Sequence, residues 1–313
     1  MSETREFKRL PLDDAGNLIE NNCLINSPRN MVMISFPKMG KTETMVNVPG
    51  MLIGDCQGGT SYYNVSNVAD LLRVDEGQNP FQQLPSGAFI PIGIYETVME
   101  LSRANNMPEY FELYKKFTDA RGTEKEGLQK DLIAFIQGMP FPIFAVDPLT
   151  ALMDKLKDAA LMDYNTQFGR NKTNIKRVDD YGGAQYVRRT VLETKQFIEN
   201  NAAPFIIYTG HIKEKKKILT KTGEELSAAD MDLEGTISTI FTQHADAVCT
   251  YYRNEDGCFL NFIKSDETDF ESRPQHLAGR KIKIADLHKR DRDGKLITKG
   301  KTHWDLIYPE LRF

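Results

Sequence analysis

The chain is short of every feature that would assign it at once to a specialised class. Its four cysteines, Cys23, Cys56, Cys249 and Cys258, form no CxxC pair, which leaves a zinc ribbon, a redox dithiol and a secreted disulfide scaffold without support. Ordinary buried thiols in a reducing compartment are the plain reading. No window approaches the roughly 18 consecutive apolar residues of a membrane span, and the opening MSETREFKRL carries no apolar signal core. The expectation is a non-exported, cytoplasmic protein with no membrane partner. A net charge of -4 excludes a uniformly basic coat for nucleic acid, so any such surface must come from local runs. No internal repeat and no low-complexity linker is visible. What remains is the composition of a globular chain, 40% hydrophobic and 27% charged over 313 residues. At this length folding buries roughly three quarters of the unfolded surface, and no metal or disulfide staple is required.

Apolar runs ending in a turn or an acid mark buried strands. They occur at Met31–Phe36, before Pro37, and at Met51–Gly54, before Asp55 and the pair Gly58-Gly59. Two more are Pro142–Asp147 and Pro204–Thr209, the latter before Gly210-His211. Residues 94–104 and 125–137 carry helical patches separated by Pro108 and Gly122, read as a helical insertion near 79–140. Residues 154–183 read as a long polar stretch, and Tyr186–Asn200 as a helix with Val187, Val191 and Ile198 on one face. Ala247–Tyr252 and Cys258–Ile263 flank a turn at 254–257, which predicts a hairpin. Strands alternating with helices, then a hairpin, predict an α/β fold: a mainly parallel sheet flanked by helices, with an antiparallel C-terminal hairpin. The expected division is an N-terminal extension over 1–28, a core over 29–265 and a basic extension over 266–313 packed on the core.

The segment Ser35-Phe36-Pro37-Lys38-Met39-Gly40-Lys41-Thr42 fits the phosphate-loop pattern GxxxxGK[ST] with serine for the first glycine, between an apolar strand and a helical stretch. Loop amides and a helix N-terminus present donors and a positive dipole end to phosphate oxygens. Pro37, Lys38, Met39, Gly40, Lys41, Thr42 and Glu43 are the expected nucleotide contacts. Lys41 would reach the β and γ phosphates, and Thr42 would hold a magnesium ion. Asp147, an acid at the end of a buried strand, is the second expected ligand to that ion or its water.

With these residues in view, the chain resembles the RecA-like branch of P-loop ATPases, and most closely the phage nucleotide-binding proteins related to RecA-type single-strand annealing ATPases. The resemblance rests on FPKMGKT at 36–42, LIGDCQGGT at 52–60, IFAVDPLT at 143–150, FIIYTGHIKEK at 205–215, DAVCTYYR at 246–253 and HWDLIYPEL at 303–311. It implies a RecA-like P-loop core, magnesium-ATP as cofactor, a homo-oligomeric ring or filament, and work on single-stranded DNA in recombination, annealing or replication. For a phage-encoded chain the compartment would be the host cytoplasm. The family places a catalytic glutamate after the second strand; here Asp55 matches the first acid of that segment and Gln57 stands at the glutamate position. An amide orients water but takes no proton, so hydrolysis is expected to be slow, with Asp55 as a substitute base. A non-hydrolysing, nucleotide-dependent scaffold is the alternative. His211 matches the family's polar sensor of the γ-phosphate, or else caps a strand end.

By the same resemblance two loops face DNA. One carries Lys213, Lys215, Lys216, Lys217 and Lys221 against Glu214; the other, after Asp147, carries Arg170, Lys172, Lys176 and Arg177 with Tyr164 and Phe168. Cations neutralise phosphates and rings stack on bases, the usual means of holding a single strand without sequence readout. Charge runs are more often solvated faces, but both lie at strand exits near the expected nucleotide. A third run, Arg280–Lys301, holds nine Lys or Arg against three acids. It contacts nucleic acid, supplies a cation to a neighbouring subunit, or forms a solvated hairpin around Asp293-Gly294. Trp304, with Ile307 and Tyr308, is expected to pin the tail to the core.

Overall fold

A computed structural model describes residues 25–63, 67–69, 80–178, 182–212, 217–219, 225–227, 231–233, 237–263, 272–293 and 295–311. The chain opens with strand β1 (Asn30–Ser35), helix α1 (Lys41–Met45) and strand β2 (Met51–Asp55). A 3-10 turn at Gly59–Tyr62 and the short strand β3 (Asn67–Ala69) follow. A small hairpin, β4 (Phe81–Gln83) and β5 (Phe89–Pro91), leads into helices α2 (Ile92–Ala104), α3 (Met107–Asp119) and α4 (Gly122–Gln137). Next come β6 (Ile143–Asp147), α5 (Leu149–Phe168), α6 (Gly182–Asn201) and β7 (Phe205–His211). Beyond them lie β8 (Lys217–Leu219), β9 (Glu225–Ser227), α7 (Ile237–Thr242), β10 (Ala247–Asn254), β11 (Gly257–Asn261) and β12 (Lys281–Ala285). The hairpin β13 (Lys289–Arg290) and β14 (Leu296–Thr298) and a 3-10 turn at Trp304–Leu306 close the described chain.

Eight strands form one sheet in the order β12-β11-β10-β1-β7-β6-β2-β3. From β10 to β3 every pairing is parallel; β11 and β12 add two antiparallel strands at the other edge. The four runs read as buried strands are β1, β2, β6 and β7, and all sit in the interior of the sheet, where both faces are covered and continuous hydrophobicity is required. The expected α/β layers and C-terminal hairpin are therefore present. The hairpin turns at Gly257, whose φ of 147° and close approach to the Ala285 carbonyl leave no space for a side chain, since a Cβ would lie 2.5 Å from that oxygen.

Each sheet face carries its own core. One is closed by α2, α5, α6 and α7, with Ile94, Leu149, Val191 and Phe241 among its residues. The other is closed by α1, α3, α4 and the C-terminal tail, with Met45, Tyr110, Ile136 and Trp304. Val187, Val191 and Ile198 do form the buried stripe of α6.

Three expectations change. The insertion holds three helices and a hairpin rather than two helical patches: Pro108 lies in the first turn of α3 and Gly122, at φ 57°, opens α4, so both residues start helices. The supposed polar stretch begins inside α5, a helix of 20 residues whose buried stripe, Leu149, Leu152, Met153, Leu156, Ala159 and Ala160, straddles Asp154. Finally, part of the basic extension, expected to pack on the core, enters the main sheet itself as strand β12.

The tail is pinned as expected. Trp304 and Tyr308 are fully buried, Trp304 lies parallel to Tyr308 with ring centres 6.2 Å apart, and Tyr308 packs on Phe205 of β7 at 5.3 Å. Trp304 Nε1 has no hydrogen-bond partner among the described residues, so the indole contributes through packing. Trp304→Ala should lower unfolding stability by about 3–5 kcal/mol in a urea titration, and Trp304→Phe by clearly less, because no hydrogen bond is lost with the ring nitrogen. Equal losses for the two variants would show that the nitrogen does hold a partner.

Candidate functional site

The carboxyl ends of β1, β7, β6 and β2 lie side by side, and each contributes a polar residue. Register pairs Ser35 of β1 with His211 of β7, and Asp147 of β6 with Asp55 of β2. The loop after β1 turns over this row. Its Lys38 and Gly40 take left-handed backbone angles, φ 63° and 93°. At Gly40 the left-handed φ favours glycine, and a Cβ there would also crowd Arg253 Nη1 at 3.3 Å. Pro37 and Lys38 are exposed, while Met39 packs against the core beside α1.

Lys41 is buried and donates from Nζ to Ser35 Oγ at 2.7 Å. Its desolvation lowers the pKa to about 8, against a smaller opposing pull from the Asp147 carboxylate. The serine at the position of the first motif glycine is thus the rest position of the lysine ammonium. Thr42 donates to Asp147 Oδ2 at 2.6 Å, and Thr209 of β7 donates to Asp147 Oδ1. The Asp147 carbonyl accepts from Cys56 N at 2.8 Å. One residue therefore joins the start of α1, β7 and the loop after β2.

Asp55 is turned into its own loop. Its Oδ1 accepts from Gln57 N and Gly59 N, both at 3.0 Å, and its Oδ2 from Thr60 N and Thr60 Oγ1, both at 2.6 Å. Burial alone would raise its pKa, but these bonds outweigh it and hold the carboxyl below its ordinary value. Four donors occupy both oxygens of this acid, which shapes the turn. Gln57 is exposed beside it, and a Cβ at the nearby Gly59 would come within 4.0 Å of Thr42 Oγ1. The loop therefore faces the motif. His211 is half-buried, with its pKa lowered by burial and by the Lys41 ammonium against Asp147 and Asp232.

Glu43 and the end of α1 are fixed from the antiparallel side of the sheet. Arg253 Nη1 lies 2.9 Å from Glu43 Oε2, and Tyr251 OH contacts Thr44 Oγ1 at 3.0 Å and donates to the Gly40 carbonyl at 3.2 Å. Helix α1 itself has only five residues and stops before Pro49 and Gly50. The expected helix-dipole contribution is correspondingly small, because the macrodipole grows from aligned peptides. Local amides and the Lys41 charge carry any attraction for an anion.

Lys41, Thr42, Asp147 and His211 come together; Gln57 borders them. Arg170 and Lys172 do not. They follow α5, whose 20 residues extend roughly 30 Å from the Asp147 end. Both belong to a turn tied by Asn165, which accepts from Lys172 N and donates to Lys172 O. Tyr164 and Phe168 lie on α5 and pack with Tyr186. Lys213, Lys215, Lys216 and Lys221 lie outside the described residues, and Lys217 is described only as backbone in β8. Thr209, Tyr251 and Arg253 escaped the reading of the sequence because strand order alone makes them neighbours of the motif.

The arrangement offers an ammonium to an anion, and the Thr42 hydroxyl with the Asp147 carboxylate to a hard cation. No group of three or more His, Cys, Asp and Glu side chains that could hold a metal ion occurs among the described residues. The donor set suits magnesium, which takes one or two carboxylates and fills its shell with water and substrate oxygens. Among the described residues no helix is long and apolar enough to cross a membrane. No family model and no curated protein matches the chain.

The lowered pKa of Lys41 has a definite sign in stability. Between about pH 8 and the ordinary lysine value of 10.5 the unfolded chain carries a proton at this position that the folded chain has released. Stability from this group therefore rises with pH across that window, by up to about 1.4 kcal/mol per unit. Urea titrations at pH 7.5 and 9.5 should show the parent gaining on Lys41→Met by up to about 2 kcal/mol. Parallel behaviour of parent and variant would place the ammonium in water.

Proposed function

We propose that the chain is an ATP-binding protein with a RecA-like P-loop core, acting as a homo-oligomer on single-stranded DNA in recombination, annealing or replication, with slow hydrolysis. The observation that carries the reading is the meeting of Lys41, Thr42 and Asp147 over the carboxyl end of the sheet, with Thr42 Oγ1 2.6 Å from the Asp147 carboxylate. Two residues 105 positions apart, singled out by different motifs, share a hydrogen bond. A bound magnesium ion would supply charge neutralisation at the β and γ phosphates. Lys41 would leave the Ser35 hydroxyl for a phosphate oxygen, a more strongly charged partner. Thr42 and Asp147 would hold the ion's oxygen shell, and Thr209 would keep the Asp147 carboxylate in place. His211, with its pKa lowered, is suited as a neutral imidazole to sensing the phosphate by hydrogen bonding.

A second reading has its own support. Asp55 has four donors on its two oxygens, and Gln57 cannot accept a proton, so the loop after β2 offers no ready general base. This favours an assembly protein in which bound nucleotide stabilises a state by mass action and turnover is incidental. ATPase activity measured with and without single-stranded DNA separates the readings: stimulation by DNA supports the first, whereas tight binding without turnover supports the second.

Lys41→Ala should lower ATP affinity at least tenfold in calorimetry, because the phosphates lose their main counter-charge. Wild-type affinity in that variant would remove the nucleotide reading altogether. Gln57→Glu should raise turnover, with the ~10²–10⁴-fold contribution of a positioned carboxylate as the upper bound. If the parent is already fast and Gln57→Glu changes nothing, the water is activated elsewhere.

A further inference from the structure

Among the described residues the last strand of the sheet, β12, is open along part of its outer edge. The Arg280 carbonyl accepts from Phe262 N at 2.9 Å, and Ile282 lies opposite Leu260. Alternation in an antiparallel pair then turns the N–H and C=O groups of Lys281 and Lys283 away from β11. Beyond Lys283 the edge is closed by the chain itself. Ile284 O accepts from His303 N and Asp286 N donates to Lys301 O, both at 2.8 Å, while Ala285 bridges to Thr302. Among the described residues no strand covers the outer side of Lys281–Lys283. This segment lines an open cleft of about 710 Å³ together with Arg280, Leu306 and Pro309. Leu306 is 49% exposed.

We propose that this edge binds an extended acidic peptide of a partner protein by strand addition. The outward backbone groups of Lys281 and Lys283 would take the peptide's main chain, as exposed sheet edges do in β-augmentation. The three cations against the single acid of the cleft, Asp305, select its charge. Lysines on an open edge also exclude the commonest alternative. Pairing with a second copy would set Lys281 and Lys283 against their own kind, which is destabilising for directly opposed like charges. An acidic strand turns the same charges into attraction.

The local contacts leave the cations available. Lys283 Nζ pairs with Asp286 at 2.6 Å, but both side chains are about two fifths exposed, and such surface pairs contribute little and exchange readily. Lys281 Nζ lies 5.9 Å from the Tyr252 ring, which itself stacks on Phe259 at 5.2 Å. The aromatic pair of this region is thus engaged within the chain, which favours a peptide over a stacked nucleic-acid strand. Leu306 and Pro309 give an apolar wall for alternate peptide side chains, as the period of a strand requires. The proposal does not rest on nucleotide binding.

The full chain can be titrated in low salt with a fluorescent ten-residue peptide of alternating Asp and Val, read by anisotropy. Saturable binding is expected, at least tenfold weaker for the matching Asn-Val peptide and for the double variant Lys281→Glu, Lys283→Glu. The milder Lys281→Gln, Lys283→Gln pair should lose several-fold with an unchanged melting temperature, which guards against misfolding as the cause. Saturating peptide should also slow hydrogen exchange at the Lys281 and Lys283 amides at least tenfold, a change that charge attraction alone would not produce. The idea is overturned by failure of the acidic peptide to bind, by equal binding of the Asn-Val peptide, or by unchanged exchange at those amides. Peptide-free dimerisation through β12 would overturn it in favour of a second copy. Tighter binding of a single-stranded oligonucleotide that depends on the same lysines would overturn it in favour of nucleic acid.

Discussion

A carboxylate buried at the end of a strand must be surrounded by donors, and at Asp147 that requirement organises the carboxyl end of the sheet. The residue is only 6% exposed, and an unpaired charge at such depth would cost several kcal/mol. Its two oxygens are met by hydroxyls from opposite directions, Thr42 on the loop after β1 and Thr209 on β7, and its carbonyl takes the amide of Cys56 after β2. Three segments remote in sequence are therefore held at one point. The same carboxylate lies close enough to Lys41 to offset part of the desolvation of its ammonium.

The two cores fix where this point can be. Burying β1, β2, β6 and β7 on both faces requires helices on both sides of the sheet, and the parallel order aligns their carboxyl ends in a row. Ligands of open α/β sheets bind in that position because loops there are free to vary while the strands beneath are rigid. The strand beside β1 adds support of its own: Tyr251 and Arg253 of β10 hold the Gly40 carbonyl and Glu43. Helix α1 is short, and these contacts from a neighbouring strand take over the positioning that a longer helix would provide.

The loop after β2 shows how a local hydrogen-bond pattern constrains chemistry. Four donors converge on Asp55, so the acid is committed to shaping the turn. Gln57 beside it is exposed, and Gly59 of the same loop approaches Thr42. The resulting site is well equipped to hold charge and poorly equipped to accept a proton.

The sequence alone determined the strands whose two faces are both buried, because continuous apolar runs ended by Pro37, Asp55 and Asp147 have no other stable environment. It also determined the turn after β1, since Gly40, Lys41 and Thr42 are adjacent and their spacing is local. Helix α5 was partly hidden because its stripe interleaves with charges such as Asp154 and Asp158, and periodicity is obscured where polar residues fill the outer face. What tertiary structure decided is everything that depends on strand order. The bond from Thr209 to Asp147, the hold of Arg253 on Glu43, the distance of Arg170 and Lys172 from the motif, and the incorporation of Lys281–Ala285 as an edge strand all follow from which strands lie side by side. Hydrophobic patterning tells a strand that it must be buried and carries almost no information about its neighbour, so the partners of a side chain at a strand end emerge only when the sheet is assembled.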